Sequence, residues 1–563
     1  MKRLIYFFTS HGRAARQHFP IPRSIYRCLP QKNASHLLLQ RSKTKRRRPA
    51  PRLVGLFLAW LCLSSVVHAA DIEVNDDCSL QDAIAAANND IATGGCPAGD
   101  DADSIILAQD ATITLLEDIA AITSDMTIEG NGATIDAAEQ FRMFDIVEGA
   151  SLTLNDVILQ NARSGGLKGG ATIFTVGGSV TINNSVIQFS YAPIGGAIAA
   201  GDAEIILNHS QIKASTAKHG GGAIWIIGET RAEIIDSTIG GDDAADANST
   251  DWGGTIDFSD GALLVKNSVI ANNSADSGGA IKNLKGTVEI IESDISHNAA
   301  VEGGAIYSLG GTLAIANSLI EDNQAVGYGG GIFSGRGTVT ITDSSFSRNG
   351  SDESGGAIYS VKDTLTIANS DISENAVVRH GGGIFSAETT LNIADSLVHG
   401  NTANHGAGIL VEKGSFEITA SSITDNVAAE NGGGLMLSNG TGNITDTSLT
   451  NNSALFGGAI GIREGTIQIS ASELSGNSAI RTGGALIAIR STASITGSQI
   501  LNNKANQAGG LASDGGTITI EGGATFSGNS AELAADFMTK NSEITISSDT
   551  LISEDGQHHV DPR

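Results

Sequence analysis

Aromatic side chains make up only 4% of the 563 residues, alongside just 8 prolines and 4 cysteines. So few rings argue against several conventional globular cores, and so few cysteines exclude a disulfide-dense miniature scaffold. Positive charge is scarcer still once the chain is divided. The first seventy residues hold fourteen of the 34 Lys and Arg and none of the 61 Asp and Glu, which leaves 20 basic side chains against 61 acidic ones, a net charge near −41. Such a surface repels nucleic acid and anionic lipid and attracts divalent cations. Glycine, by contrast, is abundant, with 70 residues, and its placement is periodic.

The basic, acid-free start reads as a leader. Arg46-Arg47-Arg48, an apolar run from Leu53 to Val67, and the small residues Ala69 and Ala70 follow the order of a secretory signal peptide, with cleavage expected after Ala69 or Ala70. The apolar run is short of the roughly 20 residues needed to cross a bilayer. The mature chain is therefore expected to be secreted or on the cell surface, associated with the outer membrane, with no transmembrane segment. Cys78 and Cys96 are its two cysteines and are expected to pair in an oxidising compartment. A metal site at this pair would need further ligands, and no His or second Cys pair lies nearby.

The run Gly-Gly-(Ala/Gly)-(Ile/Leu) opens at Gly195, Gly221, Gly253, Gly278, Gly303, Gly329, Gly355, Gly381, Gly432, Gly457 and Gly483, with a variant at Gly406 and a worn copy at Gly509, mostly in steps of 25 or 26 residues. An Ile column (Ile290 to Ile520) and an Asn column (Asn273 to Asn529) run in phase with it. Within a coil, Leu365 and Ile367 alternate with Thr364 and Thr366, which is strand periodicity. Short strands that repeat at a fixed period pair with their counterparts one coil away, so like residues stack and neighbouring coils bury each other's apolar faces. The fold class expected is all-β, a right-handed parallel β-helix of roughly 17 coils over residues 103–535. At about 4.8 Å per coil it would be on the order of 80 Å long. Stacked Asn side chains would form an amide ladder and tolerate the left-handed backbone of tight turns, and the Gly pairs would supply positive φ.

Residues 71–102 read as a disulfide-tied cap. Ser79 can N-cap a short helix to Asn89, with Leu80, Ala83, Ile84 and Ala87 on one apolar face. Such a cap would shield the open sheet edge of the first coil. Residues 536–563 read as a last strand, over Glu543 to Ile552, and a polar tail. One interval breaks the period: Gly221 to Gly253 is 32 residues, with the excess in Gly240 to Trp252. Function is often added on loops leaving a scaffold.

Two resemblances follow from these residues. Cys78-Ser79-Leu80-Gln81-Asp82-Ala83-Ile84, followed by Ala87-Asn88 and Cys96, resembles the N-terminal motif of secreted bacterial proteins named for a Cys-Ser-Leu-Arg-Glu-Ala start, with Gln81 and Asp82 in place of Arg and Glu. The repeats over residues 195–530 resemble those of the chlamydial polymorphic outer membrane proteins, which alternate Gly-Gly-Ala-(Ile/Leu/Val) with Phe-x-x-Asn; Phe346 to Asn349 and Phe526 to Asn529 match the second motif literally. The resemblance implies a pectin-lyase-like β-helix outside the cell and, for the chlamydial proteins, an adhesin role. Those proteins end in an autotransporter barrel; the residues after 530 are not expected to supply the alternating amphipathic strands of one.

Catalytic residues are not apparent. The Asp100-Asp101 and Asp242-Asp243 pairs lack the Asn-Thr-Asp, Gly-His-Gly and Arg-x-Lys runs of polygalacturonases. Asp242, Asp243, Asp246, Asn248 and Asp251 concentrate hard oxygen donors that could hold calcium, or they form a solvated acidic loop; no other cofactor is implied. Tyr307, Phe333, Tyr359 and Phe385 form a four-coil aromatic column that is either a sugar-stacking platform or structural filler. His380 and His405 precede consecutive Gly turns about one strand spacing apart; they are either exposed turn residues or a stacked pair able to bind a metal, though no third ligand column accompanies them. The expected function is a non-enzymatic adhesin or matrix- or carbohydrate-binding rod, with an extracellular polysaccharide or a host or neighbouring cell surface as partner. The alternative is a polysaccharide lyase or glycoside hydrolase on the same fold.

Overall fold

The computed structural model describes residues 70–166, 168–552 and 558–561; the leader and signal peptide, apart from Ala70, fall outside the described residues. From Asp103 onward the chain winds as a parallel β-solenoid of about 17 turns. A regular coil has four strands. In the coil opened by Gly355 these are Ile358–Val361 on a glycine face, Thr364–Ala368 on a threonine face, Asp371–Ser373 on a short face and Ala376–Val377 at a corner. Each pairs in parallel with its equivalents one coil before and after, so Ile341, Ile367 and Ile393 sit in one column. All three are at most 1% exposed, which places the core along the solenoid axis.

The two glycines of each pair do different work. Gly355 has φ 71°, a left-handed conformation that costs an L side chain free energy. Gly356 has no such φ, but a Cβ there would collide with the carbonyl of Gly382 in the next coil. One glycine turns the chain; the other lets successive coils approach to strand spacing.

At the corner the amide ladder forms, and it explains the Asn period. Asn375 donates from Nδ2 to Asn401 Oδ1 (3.0 Å) and to the Phe346 carbonyl of the preceding coil (2.9 Å). Its Oδ1 accepts from the Asn349 backbone N–H (2.9 Å) and from Asn349 Nδ2 (3.1 Å). Every amide group is thus satisfied inside the solenoid, where an orphan would be costly. The left-handed turn residue is not the ladder Asn but the one before it, as at Arg348, Glu374 and Asp425. The ladder also starts earlier than Asn273: Asn248 is fully buried and donates from Nδ2 to Asn273 Oδ1 (3.0 Å). At the far end Asn529 Nδ2 donates to Asp536 Oδ1 (2.9 Å).

The cap is a helix over Leu80–Asn89, N-capped by Ser79, whose Oγ accepts from the Asp82 N–H (3.1 Å). Its buried face is Leu80, Ala83, Ile84, Ala86 and Ala87. Cys78 and Cys96 form a disulfide. Asp71–Glu73 pairs with Asp103–Ile106, so the cap region supplies a strand to the first rung. At the other end the last long strand is Phe537–Ile546. Among the described residues no helix is long and apolar enough to cross a membrane.

Candidate functional site

The broken interval folds back rather than projecting as a free loop. Its extra residues lie between the strand Thr238–Gly240 and Asn248, and include a single 3-10 turn, Ala244–Asp246. Asp246 pairs with Lys213 (3.1 Å), and Asn248 is committed to the ladder. Asp242, Asp243 and Asp251 stay exposed. Among the described residues no group of three or more His, Cys, Asp or Glu is placed to hold a metal ion.

The next rung carries an acid–base pair that the sequence did not single out. Asp257 stands on the outward column of the glycine face yet is only 6% exposed, and Lys282, one rung on, donates to its Oδ2 (3.1 Å). Burial raises the Asp257 carboxyl, opposed by the lysine charge. A Cβ on Gly220 or Gly253 would strike Asp257 Oδ2, so these glycines let the chain close over it. Trp225 lies one rung before Asp257 in the same column.

The column continues into Tyr307, Phe333, Tyr359 and Phe385. Successive ring centroids are 4.8, 5.3 and 4.7 Å apart with interplanar angles of 6°, 16° and 5°. Strand spacing alone sets this near-contact stacking. The ring faces are therefore covered by one another, and what the column presents outward is ring edge. Burial pushes the Tyr359 phenol up to about 12. Phe385 continues into Leu410 and Met436, which form with it a small apolar cluster outside the main core.

Beside this column His380 and His405 stack at 5.1 Å, half-buried rather than exposed. His405 Nδ1 accepts from Asn431 Nδ2 (3.0 Å), which leaves the hydrogen of the neutral ring on Nε2, 3.6 Å from Glu430. Burial holds both imidazoles below their ordinary range, His380 further by the neighbouring His405.

A groove of about 790 Å³ runs lengthwise along the turn between the threonine and short faces. Its rim repeats once per coil as Asn317, Asp343, Asn369, Asp395, Ala420 and Asp446, all with left-handed φ near 50° and exposed, and polar everywhere but at Ala420. The hydroxyl residue after each, a serine except at Thr447, turns inward; Ser370 Oγ accepts the Ser344 N–H (3.2 Å) and donates to the Ala368 carbonyl (2.7 Å). This split between an inward hydroxyl and an outward carboxylate or amide is the chemical meaning of the recurring Asn-Ser or Asp-Ser pair. The sequence carries that signal, but as a turn rather than as a surface.

Residues 278–454 match the family model of the right-handed beta helix region. The fold is a right-handed parallel β-helix. Solved structures similar to it include the periplasmic alginate epimerase AlgG (9% identity, 78% of this chain and 84% of that one, TM-score 0.27). Others are the Azotobacter vinelandii mannuronan C-5 epimerase AlgE6 A-module (11%, 72% and 90%, 0.25) and the PL6 family alginate lyase AlyGC (10%, 81% and 97%, 0.18). At this identity and TM-score the likenesses bear on neither activity nor substrate. A comparison with curated proteins gave no match.

Proposed function

We propose that this β-helix is an exported, non-catalytic binding protein, an adhesin or matrix component, whose ligand is an uncharged linear polysaccharide held along the Asn/Asp groove. The carrying observation is the groove's periodicity: polar groups recur at the coil repeat along its length, interrupted at Ala420, with coils about 4.8 Å apart. A polymer that offers hydroxyls at a similar repeat can meet them successively, and many weak contacts then add through multivalency. Carboxylates accept hydrogen bonds from sugar hydroxyls but repel uronates, and the surrounding charge reinforces that choice. The resemblance to secreted Cys-Ser-Leu-Arg-Glu-Ala proteins and to chlamydial surface repeats supports the exported, adhesive reading.

Calorimetric titration of the purified protein with neutral and uronate oligosaccharides, with and without calcium, tests this. Affinity for a neutral chain is expected to rise with its length and to fall about tenfold or more when Asp343 and Asp395 are both changed to Ala. Release of unsaturated or new reducing ends from any uronate polymer, abolished by Asp257→Asn, would favour the lyase or hydrolase alternative instead.

A further inference from the structure

The threonine face has a different character from the groove beside it. Its strands stay in unbroken register from Thr312–Ala316 through Thr492–Thr496. In each strand the second and fourth residues are buried and the first, third and fifth face outward. The first position is Thr in every one of these strands except at Ser415; Thr340 and Thr366 occupy the third position in adjacent rungs. The outward residues form a two-dimensional array repeating at about 4.8 Å between rungs and about 6.8 Å along each strand.

Three properties restrict what such an array can bind. First, its Thr column is rigid: threonine is β-branched with few χ1 states, so its methyl and hydroxyl are held in place before any contact. Second, Glu417 is the only charged side chain among these outward positions, on a chain otherwise dense in carboxylates. Third, the face is open along most of its length; at its far end Thr441, Thr466 and Thr492 border a groove shared with Lys413, Glu464 and Arg490, and a single flexible chain would touch only a fraction of the array. The occupant that meets every hydroxyl and methyl at once is itself a flat, uncharged, hydrogen-bonding lattice. A crystalline polysaccharide would call for planar aromatic platforms, and no outward residue of these strands is aromatic.

We propose that the threonine face binds ice, its hydroxyls and methyls ordering a layer of water that merges with the crystal surface. This surface is separate from the groove and does not depend on the polysaccharide reading. The test is the freezing hysteresis and crystal habit of the purified protein, with far-UV circular dichroism as the check on folding. The wild-type protein is expected to shape ice crystals and hold a hysteresis gap. Thr340→Lys combined with Thr366→Lys should abolish it, Glu417→Thr should widen it, and Gln324→Lys, at the corner, should leave it unchanged. A folded wild-type protein without hysteresis overturns the proposal, as does a Glu417→Thr variant no more active than wild type. Adsorption to an insoluble neutral polysaccharide that is lost in the Thr340/Thr366 variant also overturns it, because the face would then serve a different solid.

Discussion

Two columns of stacked side chains run along the same coils, one inside the corner and one outside the glycine face, and they obey different rules. Asn recurs at every rung from Asn248 to Asn529, whereas the aromatic column lasts from Tyr307 to Phe385 and passes into Leu410, Met436 and Gly461. The interior amide must satisfy backbone groups above and below it, so any other side chain leaves buried donors and acceptors without partners. The exterior ring only fills a shallow space, and several apolar shapes do that. Hydrogen-bond completeness, not stacking itself, makes a ladder strict.

The sharpest way to break the comparison is Asn375→Leu. It removes two donated and two accepted hydrogen bonds and strands the Phe346 carbonyl and the Asn349 N–H. A loss of about 3–5 kcal/mol is expected by urea denaturation, with hydrogen-exchange protection falling first in the neighbouring rungs because each coil contacts only its neighbours. A loss below about 1 kcal/mol would refute the claim that completeness governs the ladder.

Asp536→Leu probes the same ladder at its end. There Asn529 Nδ2 loses its bond to the carboxylate but keeps the one to the Ile500 carbonyl, so a smaller cost of about 1–2 kcal/mol is expected, confined to the last coils in exchange measurements. Tyr359→Leu probes the outer column. Leucine already fills the equivalent place at Leu410, and the change should cost about 1 kcal/mol or less. If Tyr359→Leu proved as damaging as Asn375→Leu, the distinction between the columns would fail.

Much of this was legible in the sequence because stacking turns geometry into period: Ile341, Ile367 and Ile393 announce their column by spacing alone. Asn248 was hidden for an instructive reason. It lies one step of 25 residues before Asn273, yet it sits among aspartates and reads as part of an acidic loop. The insertion precedes it and leaves the Asn period intact, while displacing the Gly period used to mark the break. The Asp257–Lys282 pair gives no such signal, since neither residue belongs to a column of its own kind. Its burial depends on Gly220 and Gly253 passing over it, a contact made only by the folded chain.

The smallest effect belongs to His380 and His405, which join the outer column to its rim. Burial depresses both imidazoles in the folded state, whereas in the unfolded chain they titrate near 6.5. Lowering the pH through that value protonates the unfolded chain before the folded one, so stability present above about pH 6.5 is lost on acidification until the folded-state values are passed. Glu353, Glu412 and Glu430 favour the charged rings, while Arg379 and Arg463 oppose them; burial outweighs the carboxylates. Urea midpoints between pH 7.5 and 5.5 read this window, and comparison with His380→Phe separates the imidazoles from the carboxyls that burial raises, Asp257 and Asp363 among them. His380→Phe extends the ring stack from Phe385 and removes one titrating group, so the acid-side loss should shrink. A slope unchanged in that variant, or stability that rises on acidification, would show that the imidazole pair is too well solvated to couple to folding.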